Sequence, residues 1–189
     1  GSGSGLAAQG MDLERQWGYW TRRYEKRFNK PVFMAYLQSY TNTHGSTERL
    51  VRVLDTVAGL DTPARLVALA LGTRPDCLDR EKLECIAAFP ASEIWLELGL
   101  QSADNEVLRR VNRGHDVECF VRACELAASL GLKVCAHVIA GLPGEGPDGF
   151  QRTLELVNTL PVSGLKMHNL YVCRDSGLAT WWREGRYLP

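Results

Sequence analysis

The sequence is most informative at first for what it does not contain. Its charges cancel, 22 Lys and Arg against 22 Asp and Glu, so no global excess points to nucleic acid or to an anionic membrane, and a local patch is all that stays open. No apolar run approaches the roughly 20 residues that span a bilayer, so an integral membrane protein is not expected. The six cysteines, at positions 77, 85, 119, 124, 135 and 173, form no CxxC pair and no disulfide framework. No secretory leader stands ahead of them, so a reducing, cytoplasmic setting is the expectation. What is present is a chain of 189 residues with ordinary composition, long enough for one sizeable domain with a core.

The stretch around which the rest is arranged runs from Leu132 to Glu145. An apolar, β-branched run that breaks into Gly141-Leu142-Pro143-Gly144-Glu145, with helix signals just after, reads as a buried parallel strand opening a βα unit. Function in such units gathers at the carboxyl end of the strand. Alternation sends Val134, Ala136, Val138 and Ala140 to one face and Cys135, His137, Ile139 and Gly141 to the other. The first face is purely apolar. The second carries a histidine and a sulfur, then a glycine where backbone can approach a ligand closely.

Residues 1–10 are Gly/Ser-rich and read as a flexible segment, with residues 11–189 as the folded part. From Met11 to about Phe28 the residues Leu13, Trp17, Trp20, Tyr24 and Phe28 recur at helical spacing. The basic cluster Arg22, Arg23, Lys26, Arg27 and Lys30 on this helix suits phosphate, although a solvated face is the simpler reading. Five strands are predicted at Val32–Gln38, Arg65–Leu71, Glu93–Leu100, Leu132–Ala140 and Gly164–Val172. Helices with start signals at Ser46 or Thr47, Asp79, Asp104, Asp116 and Pro147 separate them.

Such alternation implies parallel pairing with right-handed crossovers. One parity set is apolar: Ala35 and Leu37; Val67, Leu69 and Leu71; Leu96, Leu98 and Leu100; Leu165 and Met167. The opposite set holds Tyr36, Gln38 and Tyr40; Gly72 and Arg74; Glu97 and Gln101; His137; and Lys166 and His168. A doubly wound sheet is apolar on both faces, so the polar set predicts strands curved around a wet interior, a partial barrel of the TIM type. Arg74 suits a carboxylate or phosphate bidentately, or else pairs with Asp76 or Glu97. Glu97 suits a ribose diol or acts as a base, or else forms an ion pair with Lys166 or Arg74. His137 and His168 are ligand or proton-carrier candidates. Lys166 suits a Schiff-base lyase or aldolase if its amine is desolvated, and a nucleotide- or RNA-binding module without chemistry is a third reading. The scattered cysteines read as buried, inert thiols.

Three stretches together resemble the radical S-adenosylmethionine (radical SAM) superfamily: Gly141 to Glu145 after the strand containing Ile139, Glu97 to Ser102 on the strand before it, and Asn112-Arg113-Gly114-His115. With Tyr40-Thr41-Asn42-Thr43 and Gly72-Thr73-Arg74-Pro75-Asp76, they are similar to an uncharacterised bacterial branch related to the elongator catalytic subunit and to oxygen-independent coproporphyrinogen oxidase. The resemblance implies a partial (β/α)6 barrel, here without its first strand, that binds S-adenosylmethionine and a [4Fe-4S] cluster and generates a 5'-deoxyadenosyl radical that abstracts hydrogen from a substrate. It implies an electron donor such as flavodoxin or ferredoxin. By position it assigns Glu97 and Gln101 to the ribose, Ile139, Gly141 and Leu142 to adenine, Tyr40 to Thr43 to the methionine amino group and Arg74 to the carboxylate. His137 and His168 join this cofactor-binding set. Two departures stand out: His137 occupies a place where the family usually has glycine, and the CxxxCxxC cluster motif is absent, so the cluster cysteines are expected upstream of Gly1 and this chain alone is expected to be inactive.

Overall fold

In a computed structural model the described residues are 10–38, 40–62 and 65–188, so the Gly/Ser-rich opening predicted as flexible lies outside them apart from Gly10. The five apolar runs become strands β1 (Phe33–Leu37), β2 (Leu66–Thr73), β3 (Glu93–Gln101), β4 (Lys133–Ala140) and β5 (Gly164–Asn169). They pair in chain order and all in parallel. The helices are α1 (Leu13–Glu25), α2 (Thr47–Ala58), α3 (Arg80–Ala87), α4 (Asn105–Arg110), α5 (Val117–Ser129), α6 (Pro147–Thr159) and α7 (Gly177–Arg183). This alternation curls the sheet into the expected half-barrel.

Local chemistry sets the helix starts. Ser46, Asp79, Asp104 and Asp116 each accept a backbone N–H from the first turn of α2, α3, α4 and α5, and Pro147 opens α6 where no N–H is needed. Register then fixes the two faces. Leu37, Leu71, Leu96 and Val134 lie abreast on successive strands facing the helices, and Leu71, Leu96 and Val134 are fully buried there. Phe120 of α5 and Leu50 and Val57 of α2 close over this layer.

Two edges depart from the sequence reading. Leu165 and Met167 keep the predicted parity but are 43% and 62% exposed, because β5 ends the sheet and α6 packs on β4. The strand itself stops at Asn169, three residues short of the predicted Val172. At the other edge β1 has, among the described residues, a strand partner on one side only, beside a groove of about 470 Å³ lined by Trp17, Trp20, Tyr24, Met34, Tyr36 and Gln38.

Candidate functional site

The inner parity set converges on one carboxylate. Glu97, in the middle of β3, has Cys135 abreast on β4, with His137 two residues on and Lys166 abreast of His137 on β5. Three groups meet its Oε2: the Tyr36 hydroxyl donates to it, Lys166 Nζ donates at 3.1 Å, and His137 Nε2 lies at 2.8 Å. Lys166 also donates to the Tyr36 oxygen at 3.1 Å, as does Gln38 Nε2. His168 joins through its ring, 5.2 Å from that of His137.

This environment sorts the charges. Burial works to raise Glu97, yet the hydrogen bonds from Tyr36 and Lys166 outweigh it and hold the carboxyl below its usual range. Burial works to lower Lys166, but the hydrogen bonds with Tyr36 and Glu97 prevail and keep the amine protonated. Burial pushes Tyr36 up and His137 down, so the phenol and the imidazole are both neutral at pH 7. A protonated Lys166 is the reverse of what a Schiff-base lysine requires.

A second knot lies at the carboxyl ends of the strands. Arg74 is held bidentately by Asp76, at 2.9 and 2.6 Å, which realises its structural alternative. Above Gly99, Arg113 and Gln101 fill the space a Cβ would take, and Arg113 Nη2 donates to the Gly99 carbonyl at 3.3 Å. Gln101 reaches that position from a β-bulge after Gly99, at φ +74°. Among the described residues the buried Arg113 Nε and Glu145 Oε2 have no hydrogen-bond partner. The other Glu145 oxygen accepts from Ser102 at 2.6 Å. Gly141 turns the chain at φ +85°, and its carbonyl accepts from the Tyr187 hydroxyl at 2.7 Å.

The predicted site residues therefore divide. Glu97, His137 and His168 come together in the lumen, while Gln101 and Gly141 stand at its mouth. Ile139 pairs in register with His168, and Leu142 is buried. In the loop after β1, Tyr40 is 97% exposed and Thr41 half-buried, but Asn42 is spent on the Leu37 and Gly72 carbonyls and Thr43 is buried against Thr73 at 2.5 Å. Sequence reasoning placed Tyr36 and Lys166 on the correct face without adding them to the cofactor set, although their parity with Glu97 was a usable signal. Arg113 was marked only as part of the Asn112-to-His115 motif and Tyr187 not at all, because loops bring both back.

A parallel half-barrel with a polar lumen and a glycine-marked mouth defines the fold class, a partial TIM-type barrel. The family model "Radical SAM superfamily" matches residues 36–157. The chain belongs to the radical SAM superfamily, whose cofactors are S-adenosylmethionine and a [4Fe-4S] cluster. It is 41% identical over 156 residues to protein YhcC of Escherichia coli strain K12, covering 82% of this chain and 50% of that protein. It is 34% identical over 128 residues to the tRNA uridine(34) acetyltransferase of Dehalococcoides mccartyi, covering 66% of this chain and 28% of that one. The solved structure of archaeal Methanocaldococcus infernus Elp3 with an N-terminal deletion shares the fold at a TM-score of 0.82 and 23% identity, over 100% of this chain and 48% of that chain. The chain thus spans about half the length of the curated relative YhcC, which it covers to 50%.

The two cofactors fit this chain unequally. Among the described residues the group of three or more His, Cys, Asp or Glu with ligand atoms within 4.8 Å is Glu97, Cys135 and His137. One sulfur is too few for a [4Fe-4S] cluster, so this set does not fit it. The lumen and mouth do fit a nucleoside: a charged Glu97 stands below a polar mouth, and the exposed Gly141 has no side chain to stand in the way.

Proposed function

We propose that this chain is the S-adenosylmethionine-binding portion of a radical SAM enzyme whose cluster ligands precede Gly1 in the full-length protein. The observation that carries the reading is the ionised Glu97 held by Tyr36, His137 and Lys166 in the lumen of a family-matched half-barrel. The bound cofactor supplies the chemistry, a 5'-deoxyadenosyl group that takes a hydrogen atom from substrate after one-electron reduction.

The chain's own residues bind and orient. Glu97 and Gln101 accept and donate to the ribose, Gly141 and Ile139 offer backbone and apolar contact to adenine, and His137 and His168 wall the lumen toward substrate. Tyr40 and Thr41 are open toward the methionine end, whereas Asn42 and Thr43 position that loop. Arg74 serves the carboxylate only if it gives up Asp76, and Arg113 beside it is the better placed cation. Residues 11–189 form the partial barrel, and the unpaired side of β1 with its groove suits an upstream strand. A flavodoxin- or ferredoxin-type donor and a cytoplasmic setting go with this reading, and no helix among the described residues is long and apolar enough to cross a membrane. A relative's name, tRNA uridine(34) acetyltransferase, adds RNA to the substrates to be tested.

The test is anaerobic iron and sulfide reconstitution of this chain beside a version extended by its natural upstream segment, with 5'-deoxyadenosine measured after reduction. The expected result is a brown, active extended protein and an inactive short one. A colourless, inactive extended protein sinks the reading, and activity in the short chain overturns the placement of the cluster ligands.

A further inference from the structure

The network around Glu97 is built from a carboxylate, an imidazole, a phenol and an amine, and a sulfur stands beside it. Cys135 and His137 are two residues apart on β4, so strand alternation turns both into the lumen. Glu97 lies abreast of Cys135 on β3. The Cys135 Sγ, a ring nitrogen of His137 and a carboxylate oxygen of Glu97 all fall within 4.8 Å of one another. His137 Nε2 and Glu97 Oε2 are already 2.8 Å apart. Cys135 itself is a free, half-buried thiol.

A thiolate, an imidazole and a carboxylate make a mixed donor set. Magnesium and calcium call for shells of oxygen, whereas zinc takes all three donor types in a tetrahedron. Zinc bonds of about 2.0–2.3 Å space the corners of that tetrahedron about 3.3–3.8 Å apart. A set already gathered within 4.8 Å therefore closes by small side-chain rotations on fixed strands. The His137 and Glu97 side chains are only 18% and 15% exposed, which keeps competing water scarce. The cation now on Glu97, Lys166, is 36% exposed and can move out to water when an ion arrives.

We propose that Glu97, Cys135 and His137 form a site for one zinc ion in the lumen, with the fourth position left to water. The ion takes the place of Lys166 as the cation on Glu97, and the Cys135 thiol gives up its proton on binding. Three protein ligands and an open corner distinguish such a site from a closed structural one. The rival sulfur and imidazole pair, Cys77 with His44 Nδ1 at 3.8 Å, gathers no third ligand among the described residues. The metal site does not depend on the cofactor reading. Because the two share Glu97, zinc and a nucleoside exclude one another, and that consequence alone rests on the reading.

The test is titration of the reduced, anaerobic chain with cobalt(II), followed by displacement with zinc. One equivalent should bind, with a thiolate-to-cobalt charge-transfer band and the strong visible bands of tetrahedral cobalt. Cys135→Ser, nearly isosteric and so expected to keep its melting temperature, should remove the charge-transfer band. His137→Gln should weaken zinc by about 100-fold or more, and Cys77→Ser should change neither band nor affinity. Lys166→Met should tighten zinc by about tenfold, since it deletes the cation that competes for Glu97. S-adenosylmethionine should raise the zinc concentration needed; an unchanged value leaves the metal site standing and removes Glu97 from the ribose. No binding, a pale octahedral spectrum, a charge-transfer band kept in Cys135→Ser or lost in Cys77→Ser, or weaker zinc in Lys166→Met would each overturn the proposal.

Discussion

The two faces of the five strands are built from alternating residues of the same segments, yet they follow different physics. Leu96 and Glu97 are neighbours on β3. Leu96 is fully buried in a dry layer where shape and area decide, while Glu97 faces a wet lumen where charge and hydrogen bonds decide. The outer face has a single packing solution, and the inner one holds a charged network that a ligand can enter. The buried apolar layer lies on one side of the sheet and the candidate site on the other.

Four experiments test how sharp that division is. The largest effect is expected for Leu96→Ala, a loss of about 2–5 kcal/mol in urea denaturation, since the site cannot collapse around the cavity. A loss under about 1 kcal/mol would show that the outer layer is looser than its burial implies. Glu97→Ala should cost less, about 1–2 kcal/mol, because the Lys166 and His137 it strands can recruit water. It should abolish measurable S-adenosylmethionine binding by calorimetry, and intact binding would remove Glu97 from the site.

Tyr187→Phe, which deletes the hydrogen bond to the Gly141 carbonyl, should cost about 1 kcal/mol, and raised proteolysis of the 141–145 turn would locate the change. The smallest effect is a pH slope. His137 is held below its ordinary 6.5 by burial, so the unfolded chain binds the extra proton and stability falls as pH drops below about that value. The lowered Glu97 adds a further loss as pH falls below 4.5. His137→Gln should flatten the melting temperature between about pH 6.5 and 5, with His115, also lowered by burial, supplying what slope remains. An unchanged slope would mean that His137 is free to protonate.

The strands and helix starts were legible because their signals are local. An Asp or Ser ahead of an apolar stripe caps whatever the remote packing, and alternation sorts leucines from charges within one strand. Of the candidate site only the shared face was legible. Parity put Glu97, His137 and Lys166 on one face, but alternation says nothing about which side chains close on which. Asn42 and Thr43 are ligand candidates in the sequence, and in the structure Asn42 Nδ2 donates to the Leu37 and Gly72 carbonyls while Thr43 bonds Thr73, ties between the β1 and β2 ends that depend on which groups come within reach.

By itself the sequence determined a parallel α/β half-barrel, a polar lumen and the superfamily, since periodicity, caps and motif spacing depend on residues near one another in the chain. The tertiary structure alone decided that Arg74 is held by Asp76 and that Arg113 and Tyr187 reach the mouth. Those outcomes depend on where loops return and where the sheet ends, and both are set by the packing of distant segments.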